Sequence, residues 1–561
     1  MPRRVTTPQV PAVPSPTPAT TPSVNGTTAT PATTAVSGVR DAFTSSAAPA
    51  IETVFTPGNQ ALQMELKELD AIINARRADA RQFATPGENP YRIQYAVYNL
   101  TDPQVIAKLT EASRAGIHVQ LLIDSAQIAP DRPWNTVVDE LKSAGFSHAE
   151  THKGLTEAQR RDTQIIEIDM GRGLFHLKAR TFRYPDPQTG ALKETLLTGS
   201  HNPQESAHKN NESLHRVTDP GLIAKYTAAI EALKAGKPIQ NSWDEAAPVN
   251  VLFTSPTAKG TRVADKLFSM IRDEKELIFI SVFTLRNITN SEGRTKLVDE
   301  LAAAKARGVK VTVVTDQKQA DGVDVDGNPR PDSSDDDTED LLRAAGIPTY
   351  EVTNRAGPHT AMHLKSAVFG LTDMKVVTDA GNWTFSAMGS KASRPKNAES
   401  VLFIDSKKAD GNKTGMQYLG EYLSILRRYA PQNHGGPEVE NLIRDLQATP
   451  GWPKVKVNFD VIARTNWGQD VYLVGNTPEL GGWGQTGPGL KLDTDSSTYP
   501  SWKAKDVELP LGTTLEYKVI KRNPDGRIDW EPGQNAVLVV DNSRTQTPKT
   551  LDVRDDFNGD S

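Results

Sequence analysis

Phe175-His176-Leu177-Lys178 and Met362-His363-Leu364-Lys365 are the two stretches from which the fold is read. A histidine and a lysine one residue apart project from the same face of an extended strand, because side chains alternate across it. An imidazole then lies beside a fixed positive charge, a pair suited to attacking and holding a phosphate. A single His-x-Lys is expected by chance in a chain with ten histidines. Its surroundings carry the weight.

Working outward, the same order of elements precedes each copy. In the first, a helix-period stretch over Leu62 to Arg77 leads to an apolar strand, Ile93 to Leu100. A helix from Pro103 to Ala115, capped by Gly116, leads to the strand His118 to Asp124, and a helix at Val137 to Ala144 follows. In the second, the helix Val263 to Arg272 leads to the strand Leu277 to Leu285. The helix Thr295 to Arg307, capped by Gly308, then leads to the strand Val309 to Asp316, and Asp337 to Ala345 follows as a helix. Gly116 precedes Asp124 by the same distance as Gly308 precedes Asp316, and Val54-Phe55-Thr56-Pro57 is echoed by Leu252-Phe253-Thr254-Ser255-Pro256. This is an internal duplication. Alternating strands and helices make each half an α/β sandwich, residues 49–245 and 246–430.

The flanks differ in character. Residues 1–48 are rich in Pro, Thr, Ala and Ser and are expected to be a disordered tail. Residues 431–453 read as a linker with one short helix, Glu440 to Leu446. Residues 454–557, with alternating strands and dense aromatics, read as an all-β domain. The acidic stretch Asp324-Val325-Asp326-Gly327 has Gly322 where a calcium loop needs its first acidic ligand, so a solvated loop is expected and no metal.

Composition sets outer bounds. The 561 residues carry a formal charge of −5 and no cysteine, which excludes disulfides, thiolate chemistry and cysteine–zinc sites. The mild acidity provides no global field for nucleic acid or an anionic membrane, so any basic phosphate site is local. No apolar run is long enough to span a bilayer, and the stretch after Met1-Pro2-Arg3-Arg4 lacks the apolar core of a signal peptide.

Downstream of the first His-Leu-Lys stand Gly199-Ser200-His201-Asn202 and Asn210-Asn211-Glu212; downstream of the second stand Asp379-Ala380-Gly381-Asn382 and Asn397-Ala398-Glu399. Over roughly residues 51 to 430 this resembles the phospholipase D superfamily, whose halves each carry His-x-Lys-x4-Asp, Gly-Ser-x-Asn and Asn-x-Glu. The chain departs from that pattern. The family aspartate is Arg183 in one copy and Gly370 in the other, with Asp186 and Asp373 slightly later as candidates for its turn role. Gly-Ser becomes Asp379-Ala380 in the second copy.

The resemblance implies a metal- and cofactor-independent phosphodiesterase. One histidine attacks phosphorus to form a phosphohistidine, and the other acts as general acid and then activates water. By similarity His176 is the nucleophile and His363 the acid; the residues alone leave the reverse open. Lys178, Lys365, Asn202 and Asn382 would neutralise the phosphate, and Glu212 and Glu399 would orient the imidazoles. His201 and His208 read as solvated or satisfied.

Beyond residue 453, Val471-Tyr472-Leu473-Val474-Gly475-Asn476, Glu479-Leu480-Gly481-Gly482-Trp483, Glu516-Tyr517-Lys518 and Asp529-Trp530-Glu531 resemble the starch-binding domain, carbohydrate-binding module family 20. That implies an immunoglobulin-like β-sandwich. By that pattern Trp483, Lys518, Trp530 and Asn535 form one glucan site, Trp467 anchors a second with Tyr499 as an uncertain partner, and Trp502 belongs to the core.

The leading expectation is a phospholipase D cleaving glycerophospholipid head groups at a membrane or micelle surface, monomeric and held on starch or a related α-glucan. The alternatives are a nuclease or phosphatidyl transferase with the same machinery, or an inactive glucan-binding protein. Nucleic acid is disfavoured because no lysine- or arginine-rich face is evident. Starch binding points outside the cell, without an export signal to support it.

Overall fold

The computed structural model describes residues 51–83, 86–129, 131–132, 135–321, 337–357, 359–541 and 550–557. The Pro- and Thr-rich tail and Asp324–Gly327 lie outside them.

The first half is an eight-stranded sheet of β1 (Ile51–Phe55), β2 (Arg92–Val97), β3 (His118–Asp124), β4 (His148–Ala149), β5 (Ile165–Ile168), β6 (Lys178–Pro185), β7 (Leu192–Gly199) and β8 (Ser213–Val217), in the order β1-β8-β7-β6-β2-β3-β5-β4. The second half is a seven-stranded sheet of β9 (Val249–Thr254), β10 (Leu277–Val282), β11 (Lys310–Asp316), β12 (Thr349–Val352), β13 (Lys365–Phe369), β14 (Lys375–Asp379) and β15 (Glu399–Asp405), in the order β9-β15-β14-β13-β10-β11-β12. The second sheet repeats the first strand for strand and lacks only the short edge strand. Within each, β2–β3 and β10–β11 pair in parallel while β6–β7 and β13–β14 are antiparallel. All six residues of β10 are buried, as a central strand covered on both faces requires.

Helix ends follow local chemistry. Helix α1 is Gln60–Ala78. Helix α2 (Pro103–Arg114) starts where the Asp102 carboxylate accepts from Gln104 N and Val105 N, with proline at the first turn, and ends before Gly116 at φ +84°. Helix α3 (Pro220–Lys234) repeats this with Asp219.

One expectation is corrected. The family-aspartate turn is served by Asp186 in the first half, whose carboxylate accepts from Gln188 N and Thr189 N. In the second half Asp373 does not do this. Glu276 accepts from Leu371 N and Thr372 N instead. The segment 431–453 is helical over Pro431–His434 and over α4 (Gly436–Gln447), which contains the expected short helix at Glu440 to Leu446. Val439, Ile443 and Leu446 fall on one face of α4 and are buried.

The C-terminal β domain is a sandwich of a three-stranded sheet (Ser501–Pro510, Lys454–Ile462, Thr550–Asp556) and a five-stranded sheet around Thr514–Arg522. It is docked against the helices preceding it. Trp452 donates its indole N–H to Leu511 O at 2.9 Å, and Gln447 donates to the same carbonyl. A Cβ on Gly512 would come within 2.5 Å of Leu423, so the backbone approaches closely there. The apolar cluster consequently runs without a break from Leu419 and Leu423 into Val455 and Leu509.

Candidate active site

Each His-Leu-Lys sits at the entry to a strand. Lys178 opens β6 and Lys365 opens β13, so each histidine lies just outside the sheet on extended chain. Its backbone is held from three sides. Tyr98 N donates to Leu177 O at 2.8 Å, and Phe283 N to Leu364 O at 2.7 Å. The strand-end carboxylates close the next bond: Phe175 N donates to Asp124, and Met362 N to Asp316 at 3.0 Å.

The third side belongs to the other half. His176 N donates to Ala398 O at 2.9 Å, and His363 N to Asn211 O at 3.0 Å, through parallel bridges Phe175–Ala398 and Asn211–Met362. Side chains follow the same crossing. His176 Nδ1 lies 2.5 Å from Glu399, and His363 Nδ1 lies 2.8 Å from both oxygens of Glu212. Each half therefore carries the carboxylate that orients the opposite half's imidazole. Asn397 and Asn210 donate to Glu399 and Glu212 and fix them in turn.

The lysines complete the centre. Lys178 Nζ is 3.1 Å from His176 Nε2, and Lys365 Nζ donates to His363 O at 2.7 Å. The side-chain oxygens of Asn202 and Asn382 are buried and unpartnered. Six of the eight residues expected from the sequence are thus drawn together in two crossed sets, His176 and Lys178 with Glu399, and His363 and Lys365 with Glu212. Burial lowers the basicity of His176 and brings His363 down to about 4; in each case the partner glutamate opposes it and the lysines add to it. Burial also takes Lys178 down to about 8 and Lys365 to about 7. Burial works against ionisation of Glu212, but His363 and Lys365 outweigh it and hold the carboxyl at about 2.

Several contributors were not named from the sequence. Tyr98 and Phe283 place a ring edge against His176 and His363, at 4.8 and 4.7 Å between centroids. Their signal was positional: each follows the last residue of β2 or β10. Arg180 is fully buried, donates to Lys178 O and His201 O, and meets Glu65 at 3.4 Å. It ties the lysine strand to the Asn202 loop. His201 is corrected: it is fully buried, stacked on His208, and its Nδ1 has no partner. His208 is held by Asp102 at 2.7 Å.

The departures from the family pattern also find places. Arg183 pairs with Glu194 across the β6–β7 hairpin at 3.0 Å. Asp379 occupies the position matching Gly199, with φ +103°. Its buried carboxylate accepts from Thr198 at 2.9 Å and Tyr226 at 2.5 Å, bridging the two halves.

In the β domain Trp467, Trp483 and Trp530 are 103%, 38% and 52% exposed, whereas Trp502 is buried and donates to Ala463 O. Lys518 Nζ donates to the carbonyls of Glu531, Gly533 and Gln534, shaping the turn between Trp530 and the exposed Asn535. The Tyr499 hydroxyl accepts from Thr465 N, two residues from Trp467. No helix among the described residues is long and apolar enough to cross a membrane.

Comparison with known proteins adds the following. The family described as "Cardiolipin synthase, PLD-like domain" matches residues 88–234 and 267–415, and "Starch binding domain" matches residues 454–550. An alpha-amylase of Streptomyces violaceus is 43% identical over 83 residues, 15% of this chain and 14% of that protein, so the chain spans a small part of such relatives. Among solved structures, Nuc from Salmonella typhimurium, a phospholipase D family member, is 20% identical over 32% of this chain and 95% of its own, with a TM-score of 0.23. A family 20 module of a maltotetraose-forming amylase from Pseudomonas saccharophila is 30% identical over 18% of this chain and 99% of its own, with a TM-score of 0.15. The duplicated match covers more than half of the chain, and it falls on the two repeated sheets that cross-pair their histidines and glutamates: the chain belongs to the phospholipase D-like family and carries a C-terminal starch-binding domain.

Proposed function

We propose that the protein hydrolyses the head-group phosphodiester of glycerophospholipids through a phosphohistidine intermediate, while its β domain holds it on an α-glucan. The observation that carries the reading is the crossed arrangement, in which two imidazoles, His176 buried and His363 half-buried, are each fixed through Nδ1 by a carboxylate of the other half. A histidine that donates Nδ1–H to a carboxylate presents the Nε2 lone pair, the form needed for attack on phosphorus. His176 is the nucleophile in this reading. His363 protonates the leaving alkoxide and then takes a proton from the attacking water. Lys178 and Lys365 offset charge on the nonbridging oxygens, and the side-chain N–H groups of Asn202 and Asn382 would donate to the same group. The reaction balances without a further reagent: the P–O bond to the head group breaks as the P–N bond forms, and water reverses the second.

Glucan retention rests on Trp483 and Trp530, whose exposed rings offer stacking faces to pyranose sugars, with Lys518 and Asn535 beside them and Trp467 apart. The test is choline release from phosphatidylcholine in the presence of a chelator. Wild type should release choline, and His176→Ala and His363→Ala should not. Equal activity of wild type and His176→Ala would reject the reading, and metal-free nicking of supercoiled DNA without choline release would replace it with the nuclease alternative.

A further inference from the structure

The two halves differ in length in the loop that follows Asn202 and Asn382. Seven residues, 203–209, separate Asn202 from Asn210, while fourteen, 383–396, separate Asn382 from Asn397. The longer loop contains Lys391, Arg394 and Lys396, all exposed, and Phe385, which is 43% exposed. It is not a loose excursion. Lys396 N and Asn397 N both donate to Ser386 O, at 2.8 and 3.0 Å, which brings Lys396 back beside Phe385. Arg172 joins from the other half, because its neighbour Gly173 packs so tightly on Lys396 O that a Cβ there would lie 1.8 Å away. Leu174 N then donates to the Asn397 side chain, so this edge adjoins the carboxylate that holds His176.

Among the described residues none of these four cations is paired with a carboxylate; Arg394 reaches only Pro256 O. Lys396 thus lies beside the exposed Phe385, Lys391 and Arg394 share its loop and Arg172 flanks it, a concentration of positive charge out of keeping with a chain whose net charge is −5. We propose that this rim, Phe385 with Lys391, Arg394, Lys396 and Arg172, docks the protein onto an anionic phospholipid bilayer. Cations of this kind are drawn to the negative surface potential of such a membrane, and an aromatic ring among them enters the boundary between head groups and acyl chains. A nucleic acid fits less well, since the charges cluster on one loop edge instead of tracking along a groove. The proposal deepens the phosphodiesterase reading and rests on it only for the meaning of its position at the catalytic mouth.

The test uses the full chain carrying His363→Ala, so that turnover does not consume the membrane. Co-sedimentation is measured with phosphatidylcholine vesicles, with and without phosphatidylglycerol. The protein is expected to bind the mixed vesicles and to bind pure phosphatidylcholine far more weakly. Replacing Lys391, Arg394 and Lys396 together by Gln should weaken binding about fivefold per cation, on the order of a hundredfold in all. Phe385→Ser should weaken it while leaving its salt dependence in place. All four side chains are exposed, so the thermal midpoints should match the parent, and lost binding then reports on the rim. Equal binding to both vesicle types, or parental affinity in the triple variant, overturns the proposal, as does rim-dependent binding to a duplex oligonucleotide in preference to vesicles. The two readings fail separately. Vesicle binding without choline release by the wild type keeps the docking surface and rejects the chemistry; choline release from detergent micelles without vesicle binding does the reverse.

Discussion

Glu212 lies in the first half, yet its carboxylate sits 2.8 Å from His363 in the second. Replacing it by Gln keeps the shape and removes the charge. A hydrogen bond to a charged group contributes about 1.5–3 kcal/mol, so the step that needs His363 should slow by about 10–150-fold. The direction follows from the same contact. Glu212 raises the basicity of a histidine that burial already brings down to about 4, and without it the imidazolium is rarer still. The assay is rapid-quench turnover of a p-nitrophenyl phosphodiester, whose leaving group needs little protonation. In Glu212→Gln, nitrophenol should appear in a fast first turnover and then stall, because water attack on the phosphohistidine lacks its base. Glu399→Gln, which weakens the hold on His176, should slow the first turnover and show no burst. A burst in Glu399→Gln and none in Glu212→Gln would reverse the two histidine roles. Indistinguishable kinetics in the two variants would refute the assignment of separate roles to the two histidine–glutamate pairs.

Burial sets Lys365 at about 7 and Lys178 at about 8, and both are needed as cations, so kcat/KM should fall as pH rises through that window. Lys365→Arg, whose guanidinium stays charged, should extend the alkaline limb in the pH profile, and an unmoved limb counts against the lysine assignment. The Asp379 carboxyl is pushed up by burial to about 7 from 3.8, so its contribution to stability is full below about 4 and lost as pH rises through 7. Asp379→Asn keeps partners for Tyr226 and Thr198 without that loss, so its thermal midpoint relative to wild type should climb between pH 4 and pH 8; parallel curves would contradict the buried acid. In the β domain, Trp502→Ala should cost about 3–5 kcal/mol in denaturant unfolding, whereas Trp483→Ala should leave stability intact and lower retention on amylose.

The duplication, the α/β character of both halves and the histidines, lysines and glutamates that the fold brings together were legible in the linear order. Hydrophobic period and capping chemistry are local, so His118–Asp124 and Lys310–Asp316 could be placed as strands from their own residues and the glycines before them. The equal spacing from Gly116 and Gly308 even marked Asp124 and Asp316. Their use, gripping the backbone just before each histidine, was not visible, because it joins residues 51 and 46 positions apart. Sequence also misjudged what depends on neighbours from elsewhere. His201 is polar enough to read as solvated, but Arg180 and His208 close over it.

What the residues determined alone was the inventory: two histidines, two lysines, two asparagines and two glutamates in matched order. Only the folded molecule decided the partnership, with Glu399 serving His176 and Glu212 serving His363. The physical reason is that order along a chain specifies which groups exist and which face of a strand they take. A contact across 223 or 151 positions depends on how two sheets meet, and that is set by the fit of their surfaces and not by any local run.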